Sequence, residues 1–477
     1  MLKKQIHLAV VLLSFFVITG CGNSKSFTPT QPLGGTRVIL SLKDTPPANV
    51  DVISFEVTVL GAVLNPGNID LLATTGPQDI DVKRLQIETA FLNTTSVPAT
   101  SGPFGSLTLT FAKPELTIRN GTAIPLAGCA PAAVCRITPS GPLVATVNFN
   151  PALSLTANNS VGLLVDLNLN TILTDVLGID FSAASALSVT QTQVSPDNQS
   201  QEMEDVEDLT GKVANKGTNS FDLQTSQKAI SGIQVDKSTI FKGFSSCTAN
   251  PPDLTCLQNG QIVDVDLTVL ATGALVAKKV KMNVADTTGN DEELDGFVTS
   301  VNTQMASFTL VAAENLSALS NTVVGSPMQI QIQSGAQFTV DFEESENNSG
   351  FTGTFFDVNS LMPGQTVQVH RVSGDGSTAT PLVTDRVQLQ ESRLTAPVKA
   401  ITDANTFTLD TTKMSFFTAV GITEITVDAS HAKFEGVANV AALVVTPMPD
   451  TVSVRGWLFK QSTPMLPVLE ASRVRKH

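Results

Sequence analysis

The chain is predicted to be all-β, an N-terminal antiparallel β-sandwich followed by three small five-stranded β-barrel repeats, and three observations predict it. Apolar residues recur at every second position, as where Ile53, Phe55, Val57 and Val59 alternate with Ser54, Glu56 and Thr58, which is the period of a half-buried strand. No long helical periodicity separates the strands of the first half. A block of strand-forming sequence then recurs three times in the second half. With 477 residues, 42% of them hydrophobic, the chain has material for three to four domains with ordinary cores.

A leader comes first. Lys3 and Lys4 precede an apolar run from Ile6 to Ile18 that ends in Ile18-Thr19-Gly20-Cys21. A basic stretch, a short apolar stretch and small residues before a cysteine form a bacterial lipoprotein signal, so residues 1–20 are expected to be cleaved and Cys21 to be lipidated. The run is too short for a permanent span, which takes roughly 20 residues. Each buried CH₂ of an acyl chain on Cys21 contributes about 0.8 kcal/mol of membrane affinity. By resemblance to the sorting pattern in which Asp after the cysteine retains lipoproteins in the inner membrane of enteric-type bacteria, Gly22 is expected to send this one, in a diderm host, to the outer membrane. Residues 21–34, polar and bearing Pro29, Pro32 and Gly34, suit a flexible tether.

Residues 35–194 are expected to form the sandwich. Val38, Leu40 and Leu42 share one strand face, and the strand stops at Asp44-Thr45-Pro46-Pro47 because proline cannot continue a ladder. Leu107, Leu109 and Phe111 repeat the alternation. So do Leu163, Val165, Leu167 and Leu169, with Asp166, Asn168 and Asn170 on the other face. The set Leu40 to Pro46, the Val52–Val59 strand, Ser106–Phe111 and Leu164-Val165-Asp166-Leu167 resembles a family of bacterial envelope domains, domain of unknown function 4382. That resemblance covers about a third of the chain; it implies a β-sandwich on a lipoprotein and supplies no catalytic residue. Residues 195–208 follow, with Glu202, Glu204, Asp205, Glu207 and Asp208, and like charges this close predict an exposed acidic linker.

The repeats occupy residues 209–283, 294–389 and 394–476. Their openings are Leu209-Thr210-Gly211-Lys212-Val213, Leu294-Asp295-Gly296-Phe297-Val298 and Leu394-Thr395-Ala396-Pro397-Val398, each followed by a Phe-x-Leu strand at Phe221/Leu223, Phe308/Leu310 or Phe407/Leu409. A third strand (Ile233/Val235, Ile330/Ile332, Ile425/Val427), a fourth (Val263/Val265, Val367/Val369, Val452/Val454) and a closing strand with Val280, Val387 or Val474 complete each copy. Gly260-Gln261 and Gly364-Gln365 supply tight turns before the fourth strand of the first two. Five short strands make a poor open sheet but close into a small barrel, and three barrels in a row are expected. This order of motifs resembles domain of unknown function 5666, often found in tandem on exported bacterial proteins. The resemblance is strongest in the first copy. The second carries an acidic insertion at Asp341–Gly350, and the third lacks the opening glycine and the Gly-Gln turn.

Apart from Cys21, the cysteines fall into close pairs, Cys129 with Cys135 and Cys247 with Cys256. An even number in an oxidising compartment favours two local disulfides. Zinc is disfavoured because neither pair has CxxC spacing and His370, His431 and His477 are the histidines outside the leader. No G-x-S-x-G, H-E-x-x-H, Walker or Rossmann glycine motif occurs. His370 falls on the face opposite Val367 and Val369, His431 in a polar turn and His477 at the last position, so all three are read as solvated. Two acidic groups, Asp286, Asn290, Asp291, Glu292, Glu293 and Asp295 in one and Asp341, Glu343, Glu344 and Glu346 in the other, could offer oxygens to calcium, but neither has EF-hand spacing and plain solvation is favoured.

The chain has no Tyr, one Trp and 24 Phe. Trp457 is read as a plug of the third barrel's core, or else as a surface anchor and candidate ligand contact. The formal net charge is −14, and loss of Lys3 and Lys4 leaves the rest more acidic still. Such a field repels phosphate backbones, so nucleic acid is excluded as a partner. No cofactor is expected. The reading reached is a lipid-anchored, non-enzymatic envelope protein of structural or binding role, with the membrane and an envelope protein or glycan as partners. The alternatives are a glycan- or cell-wall-binding adhesin and an envelope hydrolase.

Overall fold

The computed structural model describes residues 35–47, 51–198, 200–225, 228–284, 293–315, 323–342, 350–351, 353–372, 381–461 and 466–477. The leader, Cys21 and the tether lie outside them. Strands make up 56% of the structure and helical turns 7%, with two one-turn α-helices, Leu169–Ile172 and Ser415–Thr418. The all-β expectation holds.

The sandwich has one sheet in the order Leu187–Val194, Ser160–Asn168, Gly35–Thr45, Ala90–Pro98. The other is built on Val52–Asn65 and Phe104–Arg119. Val38, Leu40 and Leu42 point into the core between them with Phe55, Phe111 and Phe181, the last two stacked with centroids 4.1 Å apart. Pairing is antiparallel except in one place: Gly35–Thr45 lies parallel to Ser160–Asn168, because the chain passes through the entire second sheet before returning to its first strand. Ile39, on the opposite face from Leu40, is also buried, in the core of the first barrel.

The three units that follow share one cycle of pairing. In the first, Glu202–Ala214 pairs with Ser220–Gln224, which pairs with Ala229–Gln234. That strand and its continuation Ile240–Lys242 run parallel to Leu275–Val284, and Ile262–Leu270 closes the path between Leu275–Val284 and Glu202–Ala214. In the second unit the same path runs Glu293–Asn302, Ser307–Asn315, Pro327–Val340, Leu382–Gln390, Thr366–Arg371 and back. In the third it runs Ser392–Ile401, Thr406–Asp410, Glu424–Asp428, Val468–Lys476, Thr451–Phe459 and back, with Lys433–Glu435 as the continuation of the third strand. This closed five-strand path is of the oligonucleotide/oligosaccharide-binding type.

Local chemistry repeats with the path. A Cβ at Gly211 would come within 2.8 Å of the Gln224 carbonyl oxygen, and one at Gly296 within 2.5 Å of that of Val311, so glycine at the opening lets the second strand curl over the first. Gln261 Oε1 accepts from the Gln258 N–H at 2.7 Å and Gln365 Oε1 from the Met362 N–H at 2.8 Å. In the third unit Asp450 Oδ2 fills this role, accepting from the Val444 N–H at 2.7 Å. Ahead of each such turn stands a 3₁₀ turn, Leu254–Cys256, Val358–Ser360 or Val440–Ala442, capped by Asp253, Asp357 or Asn439. The cap side chain satisfies backbone donors that the short turn leaves open. The leucine after each turn, Leu257, Leu361 or Leu443, is buried.

Two departures from the sequence reading concern organisation. The segment read as an exposed acidic linker is in its second half a strand: Glu202–Ala214 begins the first barrel, with Glu204 opposite Val269 and Asp205 opposite Thr268. Asp205 and Glu207 within it have partners. Asp205 accepts from Thr268 Oγ1 at 2.7 Å and Lys278 Nζ at 3.0 Å, and Glu207 is paired with Arg455 and Arg473. The barrels, moreover, do not form a row. Each of the four domains touches the other three.

Both cysteine pairs are bonded, with Cα atoms 5.8 Å apart for Cys129–Cys135 and 5.3 Å for Cys247–Cys256. The loops they close are six and nine residues long in sequence separation, for which the chain-entropy model gives about 2–3 kcal/mol each. Replacing either pair by serines is expected to lower unfolding free energy by that amount in urea titrations while the far-UV circular dichroism stays that of a β protein.

Candidate functional site

The candidate site is the place where the four domains meet, and it is assembled from strand faces that alternate between a barrel core and the outside. Along Ile262–Leu270, Val263, Val265, Leu267 and Val269 fill the first barrel while Asp264 and Asp266 point out, yet every residue from Ile262 to Val269 is buried. The outward acids face Lys279 and Lys281 on the neighbouring strand, Asp266 at 2.7 Å from Lys279 and Asp264 at 3.5 Å from Lys281. Lys281 also bonds Asp341 of the second barrel. Thr451–Phe459 is likewise buried on both faces: Val452, Val454 and Leu458 enter the third barrel's core, and Arg455, Trp457 and Phe459 look toward other domains.

Charged groups tie these faces together. Arg455 bonds Glu391, which lies between the second and third barrels, and reaches Glu207 of the first at 3.4 Å. Arg473 also bonds Glu207 and donates to the Ile87 carbonyl of the sandwich at 3.4 Å. Arg393 bonds Glu88, and Thr395 Oγ1 donates to Gln86 Oε1 at 2.7 Å. The sandwich meets the first barrel through Lys228, whose Nζ donates to Gln78 Oε1 at 2.8 Å and to the Phe91 carbonyl and lies 5.2 Å over the Phe91 ring. It meets the second through Thr117 Oγ1, which donates to the Gly325 carbonyl.

Two cavities open at this junction. One, of about 170 Å³, has walls from all four domains: Asp51 and Lys83 from the sandwich, Asp264 from the first barrel, Phe297 from the second, Asp410 and Phe416 from the third. Asp51 Oδ2 accepts from the Ser415 N–H at 2.6 Å, and burial holds its carboxyl above the usual range. Burial also raises Asp81, although the Phe55 and Lys83 N–H groups donate to it at 2.9 and 3.0 Å. Burial lowers Lys83 against the pull of Asp44, Asp81 and Asp51. The second cavity, of about 290 Å³, lies between the sandwich, the first barrel and the third, and Glu204, Glu207, Glu435, Arg473 and Arg475 line it.

The residues singled out from sequence are not brought together. Cys21 and the acids Asp286, Asp291, Glu292, Glu343, Glu344 and Glu346 lie outside the described residues. Among the described residues no group of three His, Cys, Asp or Glu is placed to hold a metal ion. His370 Nδ1 lies 2.6 Å from Asp385, His431 packs on the Phe351 ring, and His477 Nε2 lies 2.7 Å from Ser453 Oγ. The junction residues Glu391, Arg455 and Arg473 were missed, and Glu207 was read as a linker acid. The signal available was charge at outward strand positions, which a solvated face displays equally well.

Trp457 is corrected on both counts. It is 0% exposed, so it is no surface ligand contact, and it plugs the second barrel rather than its own. Its ring packs on Phe342 and Phe351, and its Nε1 donates to the Asp341 carbonyl at 2.9 Å. Val452 and Val454 point inward, so period 2 sends residue 457 outward, and the neighbouring barrel covers it. Trp457→Ala is expected to cost about 3–5 kcal/mol. As the sole tryptophan, its fluorescence should shift to the red when urea parts the second and third barrels.

Two interface carboxyls titrate far from their ordinary range. Glu204 is pushed up to about 7 by burial and by Asp205, against Thr89 and Arg475. Glu56, beside the Gly325 contact, is pushed up to about 7 by burial and by Asp81, against Arg136. From about 4.5 to about 7 the folded chain therefore holds protons that the unfolded chain has released. The stability from these groups is full below 4.5 and lost as pH rises through 7. Denaturation midpoints are expected to fall between pH 5 and 7.5, and Glu56→Gln with Glu204→Gln should flatten that slope.

Residues 210–281, the first barrel without its initial strand residues, match the family described as Domain of unknown function (DUF5666). No curated protein matches the chain.

Proposed function

We propose that this protein is a lipid-anchored, non-enzymatic component of the bacterial cell envelope, held at the outer membrane through Cys21 and acting there as a structural or binding body. The observation that carries the reading is the convergence of four β domains on one shared cavity, in a chain that opens with a lipoprotein-type signal before Cys21. Domains clamped in this way suit the holding of a solute or partner near a membrane. Spacers in a string would instead keep independent surfaces.

Other observations support the same reading. The second and third barrels repeat the strand path and capped turn of the unit that matches DUF5666, which favours three copies of one module. The sequence resemblance of the sandwich to domain of unknown function 4382 favours an envelope domain. The hydrolase alternative is weakened at Ser453, which sits beside His477 but is 2% exposed, so a substrate carbonyl does not reach its Oγ. The adhesin alternative loses its aromatic platform with the burial of Trp457.

Cys21→Ser tests the anchor. Without the thiol there is no acceptor for the acyl-bearing group, so the variant is expected as unprocessed precursor or as a soluble exported form in cell fractionation. Wild-type processing together with retention in outer membranes after a high-salt wash would overturn the proposal.

A further inference from the structure

We propose that the outer edge strand of the sandwich, Leu187–Val194, pairs with the same strand of a second copy, antiparallel about a two-fold axis at Thr190. The pairing joins two four-stranded sheets into one. It goes beyond the function proposed above and does not depend on the lipid anchor.

The backbone supplies the first argument. Leu187–Val194 pairs with Ser160–Asn168 without a bulge, and among the described residues no strand pairs with its other side. The Asn168 N–H donates to the Ala186 carbonyl at 2.9 Å, so the facing pairs Ser188/Asp166, Thr190/Leu164 and Thr192/Gly162 carry the ladder. Leu187, Val189, Gln191 and Gln193 therefore point their N–H and C=O groups outward, and among the described residues none of these groups meets a partner. A row of such groups is a template for another strand.

The other edges of the sandwich are blunted. Across the same sheet, Ala90–Pro98 is covered by the first barrel: Lys228 donates to the Phe91 carbonyl, and a Cβ on Gly273 would come within 2.7 Å of Thr94 Cγ2. In the second sheet Ile69–Asp70 and Gln78–Asp81 are short and acidic, Val134–Ile137 is short and carries Arg136, and Val144–Leu153 contains Pro151. Short length, charge, proline and covering are the devices by which natural sheets avoid edge pairing. Leu187–Val194 has none of them, being eight residues long with no charge and no proline.

A second copy is the occupant that fits. Residues Ile137–Val165 and Phe181–Pro196 hold the edge strand, most of Ser160–Asn168 and all of Val144–Leu153, and they contain no Asp, Glu, Lys, Arg or His. The edge offers no charge for an acidic or basic partner to recognise. Two copies, each of formal charge −14, meet there without setting like charges opposite one another. The strand is also its own complement: pairing about Thr190 sets that residue against Thr190 of the second copy, Ser188 against its Thr192 and Val189 against its Gln191. This register brings the outward backbone groups of both strands together in about eight hydrogen bonds. Leu187 and Val189, half-buried on the sandwich core, gain cover from the facing glutamines. A two-fold contact of this kind closes on itself as a dimer.

The test is the mass of the full chain in detergent, by light scattering with the detergent contribution removed. A concentration-dependent dimer is expected. Gln191→Pro deletes an outward donor that the internal ladder does not use, and Thr190→Lys sets two like charges opposite each other at the axis. Each is expected to weaken dimerisation at least about tenfold with wild-type far-UV circular dichroism. Both retain Cys21, so chance sharing of a micelle would leave them dimeric. Register is read separately. Thr190→Cys should form an intermolecular disulfide, because facing residues of a non-hydrogen-bonded pair lie about 4.5 Å apart. Ser188→Cys, about 13 Å from its own counterpart, should not. The proposal is overturned by wild-type protein that stays monomeric up to about 100 μM, by a dimer indifferent to both substitutions, or by equal cross-linking of the two cysteine variants. A Thr190→Cys adduct with a different protein in intact cells would assign the edge to a foreign strand and overturn it as well.

Discussion

The constraint on which the assembly depends is the burial of charge between domains. Glu207, Glu391, Arg455 and Arg473 are removed from water where three barrels and the sandwich converge. Taking such groups out of water costs several kcal/mol per ion, and the cost is offset only where partners are correctly placed. Removing one member of a buried pair typically destabilises by about 3–5 kcal/mol because the other is left uncompensated. A misdocked barrel carries the same penalty. Apolar faces would hold the domains together in many orientations; Glu207 between Arg455 and Arg473 is satisfied in one.

That constraint also explains what the sequence conveyed and what it did not. Strand positions were legible because the period-2 pattern records a local choice between core and outside, and Phe55, Phe221, Phe308 and Phe407 all reach cores. The opening glycines were legible because Gly211 and Gly296 answer to a contact within one barrel. The capped turns Asp253–Leu257, Asp357–Leu361 and Asn439–Leu443 were equally local, an Asp or Asn four residues before a buried Leu, and that spacing was a signal left unused. What lies beyond the outward face was not legible. Trp457 and Glu204 each sit at a position whose parity or charge implies solvent, and each is covered by another domain.

The acidic segment before the first barrel shows how context reverses a compositional rule. Five acids in seven residues, Glu202 to Asp208, favour an extended solvated chain when judged by their mutual repulsion alone. Lys278 reaches Asp205 from a later strand, and Arg455 and Arg473 reach Glu207 from the last barrel. Repulsion along the segment becomes attraction across it. The strand is therefore held by residues up to 266 positions away, a distance over which no window of sequence reports.

A cavity walled by four domains has a thermodynamic consequence that a pocket within one domain lacks. A solute that binds only when all four walls are in place favours the closed assembly by RT ln(1 + [L]/Kd), and so adds to the stability of every interface that forms the walls. By the same linkage, any change that loosens an interface weakens the solute, even at residues that do not touch it. Ionisation of Glu204, in the other cavity of the junction, is such a change: it adds charge beside Asp205 in an already acidic recess between the sandwich, the first barrel and the third. The proton on Glu204 and a solute between the four domains would then act on one equilibrium from separate cavities, both through the docking of the same three domains.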